Sequence, residues 1–349
     1  MFRGGIRHCP SARSCQHSPA MKLPAFLLPL IALLCIAMPP AHGEEAVTLK
    51  QRFVVGKRYE FGMKMTQTTT INIGGQEMDQ TMNMAFKHSM NVSQHEDGKR
   101  KRVTMRYGRV AMEMNVAGQK MEFDSDKKDA HAGPLASIGG LVGKEFRMLL
   151  DENDHVLDVE NFDEILKAFS SDPIAGKVMG QFLNKDSMKE LVQGSMLRAM
   201  PDHPVKPGDS WPVTYGTKMG QMGSMKVEGT YTYNKPVELA GHVCALIGTV
   251  ATLTMDMDFS KMAGGAAGGN AEVAEVIKKM GMKISDAKMI GSITFDPELG
   301  MARDMTMTTS MKMTMTLPPG TEPQNGDSKL VMPIKQSVSN TLLSVEDAK

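Results

Sequence analysis

The sequence predicts a mainly β protein, of the α+β type, in which long curved antiparallel strands form two related repeats with accessory helices. The clearest evidence is Met305–Leu317, where Met or Leu occupies every position of one parity except Thr309, and Thr, Ser or Lys occupies the other. Such alternation is typical of a strand with one buried and one solvated face. The second observation is composition: 34 Met stand against 12 Phe, 5 Tyr and 1 Trp. Flexible thioether side chains therefore supply much of the apolar surface.

The N-terminal residues predict export. Met21 and Lys22 form a short positive start, Leu23–Met38 is an apolar run, and Ala41 and Gly43 are the small residues expected just before a cleavage site at Glu44. We expect residues 1–43 to be a signal-peptide region and the mature protein to be periplasmic, extracellular or attached to the cell envelope. Residues 1–20 are explained either by a true start at Met21 or by a long n-region.

Charge, cysteine content and the lack of long apolar runs restrict the expected partners, disulfide bonds and membrane spans of the mature chain. The region before residue 44 holds four basic residues and no acid, so the mature chain has 36 basic residues (40 − 4) against 39 acidic ones. This balance does not indicate a nucleic-acid partner. Only Cys244 remains in the mature chain, inside an apolar run, which predicts a buried thiol and no internal disulfide. The rest of the chain has no apolar run long enough to span a membrane.

In the first half of the mature chain, alternating segments are separated by Gly-containing or acidic turns. They predict strands at Arg58–Ile73, Glu77–Gln94, Lys101–Tyr107, Val110–Val116 and Met121–Phe123, a helical or coiled connection at Pro134–Leu141, and a hairpin at Gly143–Val159. Helical periodicity follows. It predicts helices at Phe162–Phe169 and Ile174–Leu183, and a third helix that begins at Ser187 and carries an apolar stripe as far as Met200.

The second half returns to the strand pattern after the proline-containing segment Pro201–Gly208. We expect strands at Trp211–Tyr215, Met225–Tyr233 and Val243–Phe259, a linker at Gly264–Gly269, a helix at Ala271–Met282, a hairpin formed by Lys288–Phe295 and Met301–Leu317, a polar loop at Pro318–Ser328, and a last strand at Leu330–Val345.

Two pairs of similar segments predict an internal repeat. Gly56 and Gly208 each precede an aromatic strand start and lie 152 residues apart (208 − 56). Gly143 and Gly291 each begin a strand that meets an acidic turn, and they lie 148 residues apart (291 − 143). We therefore expect residues 44–200 to form a first β repeat with a helical excursion. Residues 201–349 would form a second repeat with a helical insertion near 270–283, giving two related sheets.

The methionine faces are the candidate binding surface, and three interpretations remain open. They are an ordinary core, a cavity that adapts to an apolar ligand or lipid, or thioether ligands for Cu(I). The residues predicted to face a ligand are Met82, Met84, Phe86, Met90, Met305, Met307, Met311, Met313 and Met315. The alternative Cu(I) set is Met82, Met84, His88 and Met90.

Catalytic and cofactor motifs are missing from the mature sequence. There is no His or Cys pair at zinc spacing, no calcium loop, no phosphate-binding glycine loop and no nucleophile motif. We therefore predict a protein that is not an enzyme and has no cofactor, with protein partners that the sequence does not specify.

The long Thr- and Met-alternating strands, the export signal and the segment Lys206–Pro212, which reads K-P-G-D-S-W-P, together resemble a family of exported bacterial proteins of unknown function. The resemblance is clearest over residues 200–317. It implies export and a duplicated β-rich fold, and no activity. More loosely, long curved strands with helices on one side are similar to periplasmic lipoprotein carriers with a half-barrel fold.

The leading functional hypothesis is an exported, non-enzymatic protein that binds or carries an apolar ligand or lipid in a methionine-lined concavity. The second hypothesis is a periplasmic Cu(I)-binding or copper-tolerance protein. The third is a structural cell-envelope protein whose methionine faces are only core.

Overall fold

The structure is a computed structural model that describes residues 45–73, 76–116, 118–127, 135–168, 185–194, 199–218, 223–257, 281–316 and 329–348. It separates residues 1–45 from a unit of residues 46–349, to which every strand and helix described here belongs. The predicted signal region, the helix at Ile174–Leu183, the linker at Gly264–Gly269 and the loop at Pro318–Ser328 lie outside the described residues.

Long strands dominate the chain, which confirms the predicted mainly β class. The strands are β1 Lys57–Ile73, β2 Gln76–Gln94, β3 Lys101–Val116, β4 Gln119–Asp124, β5 Glu145–Leu150, β6 Val156–Glu160, β7 Ser210–Lys218, β8 Gly223–Leu239, β9 His242–Met257, β10 Gly281–Asp296, β11 Met301–Thr316 and β12 Lys329–Asp347. The described helices are a 3₁₀ turn at Ala136–Leu141, α1 at Phe162–Ala168 and α2 at Lys185–Val192. Within the described part of the chain, no helix has the length and apolar character needed to cross a membrane.

All twelve strands form one antiparallel sheet, and this corrects the prediction of two sheets. The order is β6-β5-β3-β2-β1-β12-β11-β10-β9-β8-β7, with β4 added to β3. The C-terminal strand β12 lies between β1 and β11 and is hydrogen-bonded to both. It therefore joins the N-terminal and C-terminal halves through continuous main-chain pairing.

Each half of the chain crosses one half of the sheet, and both halves move across it in the same direction. From β1 to β6 it moves outward from the centre to one edge, and from β7 to β12 it moves from the opposite edge back to the centre. Each half is a meander of neighbouring strands. An origin by duplication stays a prediction.

Two local predictions were wrong for identifiable reasons. The segments at Lys101–Tyr107 and Val110–Val116 are one strand, β3, because Gly108 is accommodated by a shift in register opposite Lys87 and His88, as in a β-bulge. Most of the predicted helix at Ala271–Met282 lies outside the described residues, but its last two positions belong to β10, where Met282 is opposite Met315. In the first case a glycine that suggested a turn marks an irregularity within a strand.

Two clusters of buried side chains form the core. The first includes Tyr59, Phe61, Val103 and Leu150, and α1 joins it through Phe162. The second gathers residues from β7 to β10, from the loop before β7 and from the segment before β1. Its main members are Leu49, Trp211, Tyr231, Tyr233, Ile247, Ile293 and Phe295. The single Trp211 donates a hydrogen bond from Nε1 to the carbonyl of Ala199 at 2.9 Å, which attaches the segment after α2 to the sheet.

Candidate functional site

Strand register collects the methionines on one face of the sheet. Directly opposed residues of an antiparallel pair project from the same face. Met305 on β11 is opposite Asn340 on β12, Asn340 is opposite Met63 on β1, and Met63 is opposite Phe86 on β2. The predicted residues of β2 and β11 therefore share one face, although two other strands separate them.

This face carries methionines in rows that run across the strands. One row places Met65, Met84 and Met112 side by side, and the next places Met82, Met114 and Met121 side by side. We call the whole surface the methionine face. The register puts all nine predicted ligand-facing residues on it: Met82, Met84, Phe86, Met90, Met305, Met307, Met311, Met313 and Met315.

The opposite face is mostly polar, although Val250 and Ile290 are exposed on it. Lys64, Thr66 and Lys87 on the first strands, and Thr306 and Lys312 on β11, alternate with the methionines and are exposed. This is the two-faced pattern that the alternation in Met305–Leu317 indicates. Among the described strands β1, β2 and β11, binding chemistry that depends on thioether groups is therefore expected on one side of the sheet.

An apolar cavity of about 280 Å³ lies on the methionine face, between the central strands and the C-terminal end of α2. Seven methionines contribute to its wall: Met63, Met90, Met105, Met148, Met200, Met301 and Met305. The other lining residues are Gln51, Phe61, His88, Phe146, Val192, Ile293, Ala302 and Asn340. Of the predicted ligand-facing set, Met90 and Met305 line this cavity. The other seven lie on the same face but outside its lining.

Several lining residues were not predicted from the sequence. Met63 and Met105 have the parity of predicted strand faces, so the alternation pointed to their side of the sheet. Met148 and Met301 belong to predicted strands and Met200 to the predicted helical stripe, but none of them was assigned to the ligand-facing set. Their place in the cavity depends on strand pairing and on the return of the chain after α2.

His88 is the only titratable side chain among the described lining residues. Its imidazole stacks on Phe61, with ring centroids 5.3 Å apart, and lies at an angle to Tyr107 at 6.5 Å. Burial lowers the pKa of His88 to about 4, because desolvation disfavours the imidazolium. The imidazole is therefore neutral at neutral pH, and the described lining carries no charge.

Two amide side chains add polarity to the wall. Gln51 lies in the segment before β1, and Asn340 lies on β12 between Met63 and Met305. The Oδ1 atom of Asn340 is buried and has no hydrogen-bond partner in the part of the chain that the structure describes. An unpaired buried amide is uncommon in folded proteins and calls for an explanation.

The alternative Cu(I) residues lie on one face but are too far apart along β2 to bind one ion together. Met82, Met84, His88 and Met90 follow one another along β2 at steps of two or four residues. A strand rises ~3.4 Å per residue, so Met82 and Met90 are roughly 27 Å apart along it. A single ion can contact only neighbouring members of this set. Cu(I) binding stays a prediction.

A second cleft, of about 680 Å³, lies between α2 and β7, but its polar groups are used within the protein. Lys189 donates a hydrogen bond to the carbonyl of Leu157 at 2.7 Å. The Glu190 carboxylate accepts one from the Lys218 backbone N–H at 3.3 Å. These contacts hold α2 against the sheet, so the smaller apolar cavity is the stronger candidate for a ligand site.

The surroundings of Cys244 do not favour a reactive thiol. Cys244 is buried, and burial raises the pKa of its thiol, which is the reverse of what a nucleophilic thiolate requires. Among the described residues, no group of three or more His, Cys, Asp or Glu side chains is placed to hold a metal ion.

Comparison with solved structures finds only distant similarity. A lipovitellin structure, described by its lipid–protein interactions, has a TM-score of 0.43 and 10% identity; the match covers 85% of this chain and 26% of that chain. A putative exported protein with a YmcC-like fold from Bacteroides fragilis has a TM-score of 0.25 and 10% identity, covering 86% and 100%. A putative outer membrane lipoprotein-sorting protein domain from Vibrio parahaemolyticus has a TM-score of 0.13 and 6% identity, covering 82% and 84%. At these values the likenesses carry no argument about function.

A comparison with curated proteins finds no match. A family model described as a family of unknown function, DUF6263, matches residues 98–318. The match covers 221 of 349 residues (318 − 98 + 1), and it includes the segment Lys206–Pro212 and the alternating strand Met301–Thr316. The chain belongs to the DUF6263 family of unknown function.

Proposed function

We propose that this protein is an exported, non-enzymatic binding or carrier protein that holds an apolar molecule, such as a single lipid chain, in the methionine-lined cavity. The observation that carries the proposal is the cavity itself, about 280 Å³ of open space with a wall made mainly of Met, Phe, Val and Ile side chains. A face used only as core would be closed by close-packed side chains. The open volume therefore favours binding over a purely structural role.

The size of the cavity restricts the ligand. The lining comes from seven adjacent strands, β5, β3, β2, β1, β12, β11 and β10. At ~4.8 Å between strands, they extend over roughly 29 Å of sheet. The volume, however, lies near the lower end of the roughly 300–1,000 Å³ that is usual for small-molecule sites. A space of this volume suits one acyl-like chain better than a lipid with several chains.

Methionine suits such a site because its side chain is unbranched and adopts many conformations. Thioether walls can adjust to ligands of different length without a large cost in free energy. The export signal would place this activity in the periplasm or at the cell surface, where lipids are exchanged between membranes.

Native mass spectrometry of the mature protein purified from membrane fractions tests the proposal. We expect a co-purifying apolar molecule that delipidation removes and that a fluorescent acyl probe replaces. Ala302→Phe should reduce probe binding by an order of magnitude or more, because the ring enters the cavity. Ala85→Phe, on the polar face opposite Lys64, is the matched control and should leave binding unchanged. Clean protein from several hosts that also binds no probe would overturn the proposal.

A further inference from the structure

The lining residues that the structure describes include no charged group, and this restricts what can enter the cavity. Lining residues from β1, β2, β3, β5, β10, β11 and β12 are apolar or neutral, as are those from α2 and from the segment before β1. A carboxylate placed among them would lose its hydration and gain no cationic partner. Burial of an unpaired charge is among the most unfavourable events in a protein interior.

The same wall offers one polar group without a partner. Asn340 lies on β12, within the lining, with Met63 and Met305 directly opposite on its two neighbouring strands. Its Oδ1 atom is buried and has no hydrogen-bond partner among the described residues. Rotation of the amide presents either its acceptor oxygen or its donor nitrogen to the cavity. A ligand group that both donates and accepts would pair with either atom and remove the cost of the unpaired amide.

The rest of the lining extends to both sides of Asn340 and is apolar apart from Gln51 and the neutral His88. In one direction it crosses β1 and β2 to Met105 on β3 and to Phe146 on β5, and in the other it reaches Ile293 on β10. The His88 ring is stacked against Phe61. The arrangement therefore places one unpaired amide, that of Asn340, within a mainly apolar wall.

We infer that the cavity selects an uncharged amphiphile, in which a single hydroxyl or amide group pairs with Asn340 and an unbranched apolar chain lies along the methionines, and that it excludes the carboxylate form of a fatty acid. This inference rests on the proposed binding function and names its ligand class. It separates the protein from fatty-acid carriers, whose ligand is charged at neutral pH.

Competition for a bound fluorescent acyl probe tests the inference with four compounds of equal chain length: octane, 1-octanol, octanamide and octanoate. With the mature protein at neutral pH, 1-octanol and octanamide should compete at least about tenfold better than octane, which is the size of effect expected for one recovered hydrogen bond. Octanoate should compete least well. Equal competition by octane and 1-octanol, or effective competition by octanoate, would overturn the inference. If the probe itself does not bind, the proposed function fails instead.

Two variants test whether Asn340 is responsible for the preference for 1-octanol over octane. Asn340→Leu keeps a similar volume and should abolish the preference for 1-octanol over octane while binding octane at least as well as the wild type. Asn83→Leu, on the exposed polar face opposite Thr66, is the matched control and should keep the preference. A retained preference in Asn340→Leu would contradict the role of Asn340. If that variant does not fold, the four-compound series on the wild type still decides the ligand class.

Discussion

The imidazole of His88 stacks on the phenyl ring of Phe61, with ring centroids 5.3 Å apart and ring planes inclined by 14°. The two residues are directly opposite each other on β2 and β1, and both line the cavity. The stacked pair therefore provides a flat, neutral section of wall. Protonation of His88 therefore affects the stability of the folded protein.

Protonation of His88 should lower the stability of the protein in acid. Burial lowers the pKa of His88 in the folded state to about 4, whereas the unfolded value is about 6.5. The unfolded state therefore binds more protons between these two values. The contribution to stability is complete above about pH 6.5 and is lost as the pH falls towards 4, by an amount on the order of 3 kcal/mol.

Urea unfolding of the wild type and of His88→Phe from pH 4 to pH 8 measures this effect. The variant should lose most of the decline in the free energy of unfolding between pH 6.5 and 4. His203→Gln, in an exposed loop, serves as the control and should keep that decline. Parallel curves for the wild type and His88→Phe would show that His88 is not the residue responsible.

Asp296 organises the turn between β10 and β11 and should be essential for stability. Its side chain is fully buried, and its carboxylate accepts hydrogen bonds from the Leu299 backbone N–H at 3.0 Å and from Arg303 Nε at 2.8 Å. Burial alone would raise the pKa of Asp296, but these contacts outweigh burial and hold the pKa below its ordinary value. The stabilisation is therefore present above that ordinary value and is lost as the pH falls.

Asp296→Asn should cost about 3–5 kcal/mol, because it leaves the half-buried Arg303 guanidinium without its counter-charge. Asp347→Asn removes an exposed ion pair with Lys57 and should cost far less, because solvent screens an exposed pair. Chemical denaturation at pH 7 compares the two variants. Equal losses would mean that the buried pair is no more important than the surface pair.

Proline substitution should distinguish the central strand β12 from the edge strand β7. Ser337 is paired with Thr66 on one side and with Thr308 on the other, so a proline there removes a ladder hydrogen bond and crowds two neighbours. We expect Ser337→Pro to prevent folding or to lower the melting temperature by more than about 10 °C.

The matched variant is Thr214→Pro on β7, two residues after the natural Pro212 and therefore with its N–H directed to the same side. It should fold with a small loss of stability. Circular dichroism during thermal unfolding gives both values. A well-folded Ser337→Pro variant would be inconsistent with β12 as the strand that joins the two halves.

Cu(I) should bind weakly and without dependence on the predicted set. The triple variant Met82→Leu/Met84→Leu/His88→Gln removes ligands that extend along β2 and cannot all contact one ion. Competition titration against a Cu(I) chelator under anaerobic conditions should give the same affinity for the triple variant and the wild type. A loss of more than about tenfold in affinity, about 1.4 kcal/mol, would restore the copper hypothesis.

The strands and the methionine face could be predicted from the sequence because alternation is a local property. In Met305–Leu317, parity alone predicts which side chains lie together, and β11 extends over nearly the same residues. Gly108 misled the prediction of β3, since a glycine indicates a turn and a bulge equally well. Local pattern thus identified the strands but not their irregularities.

The residues of the cavity wall could be predicted only in part from the sequence, because the wall is formed by distant parts of the chain. Met90 and Met305 were predicted, and both line it. Met148 and Asn340 were not, because neither belongs to a methionine-rich alternating segment. Their contribution required knowledge of which strands are neighbours.

The sequence by itself determined a mainly β protein whose strands present methionine on one face, since side-chain period and strand propensity act over a few residues. Only the tertiary structure decided that β12 inserts between β1 and β11 and places Asn340 between Met63 and Met305. Strand neighbours and register depend on pairing between residues far apart in the chain. For that reason, the methionine face could be predicted, while the cavity and its single unpaired amide could not.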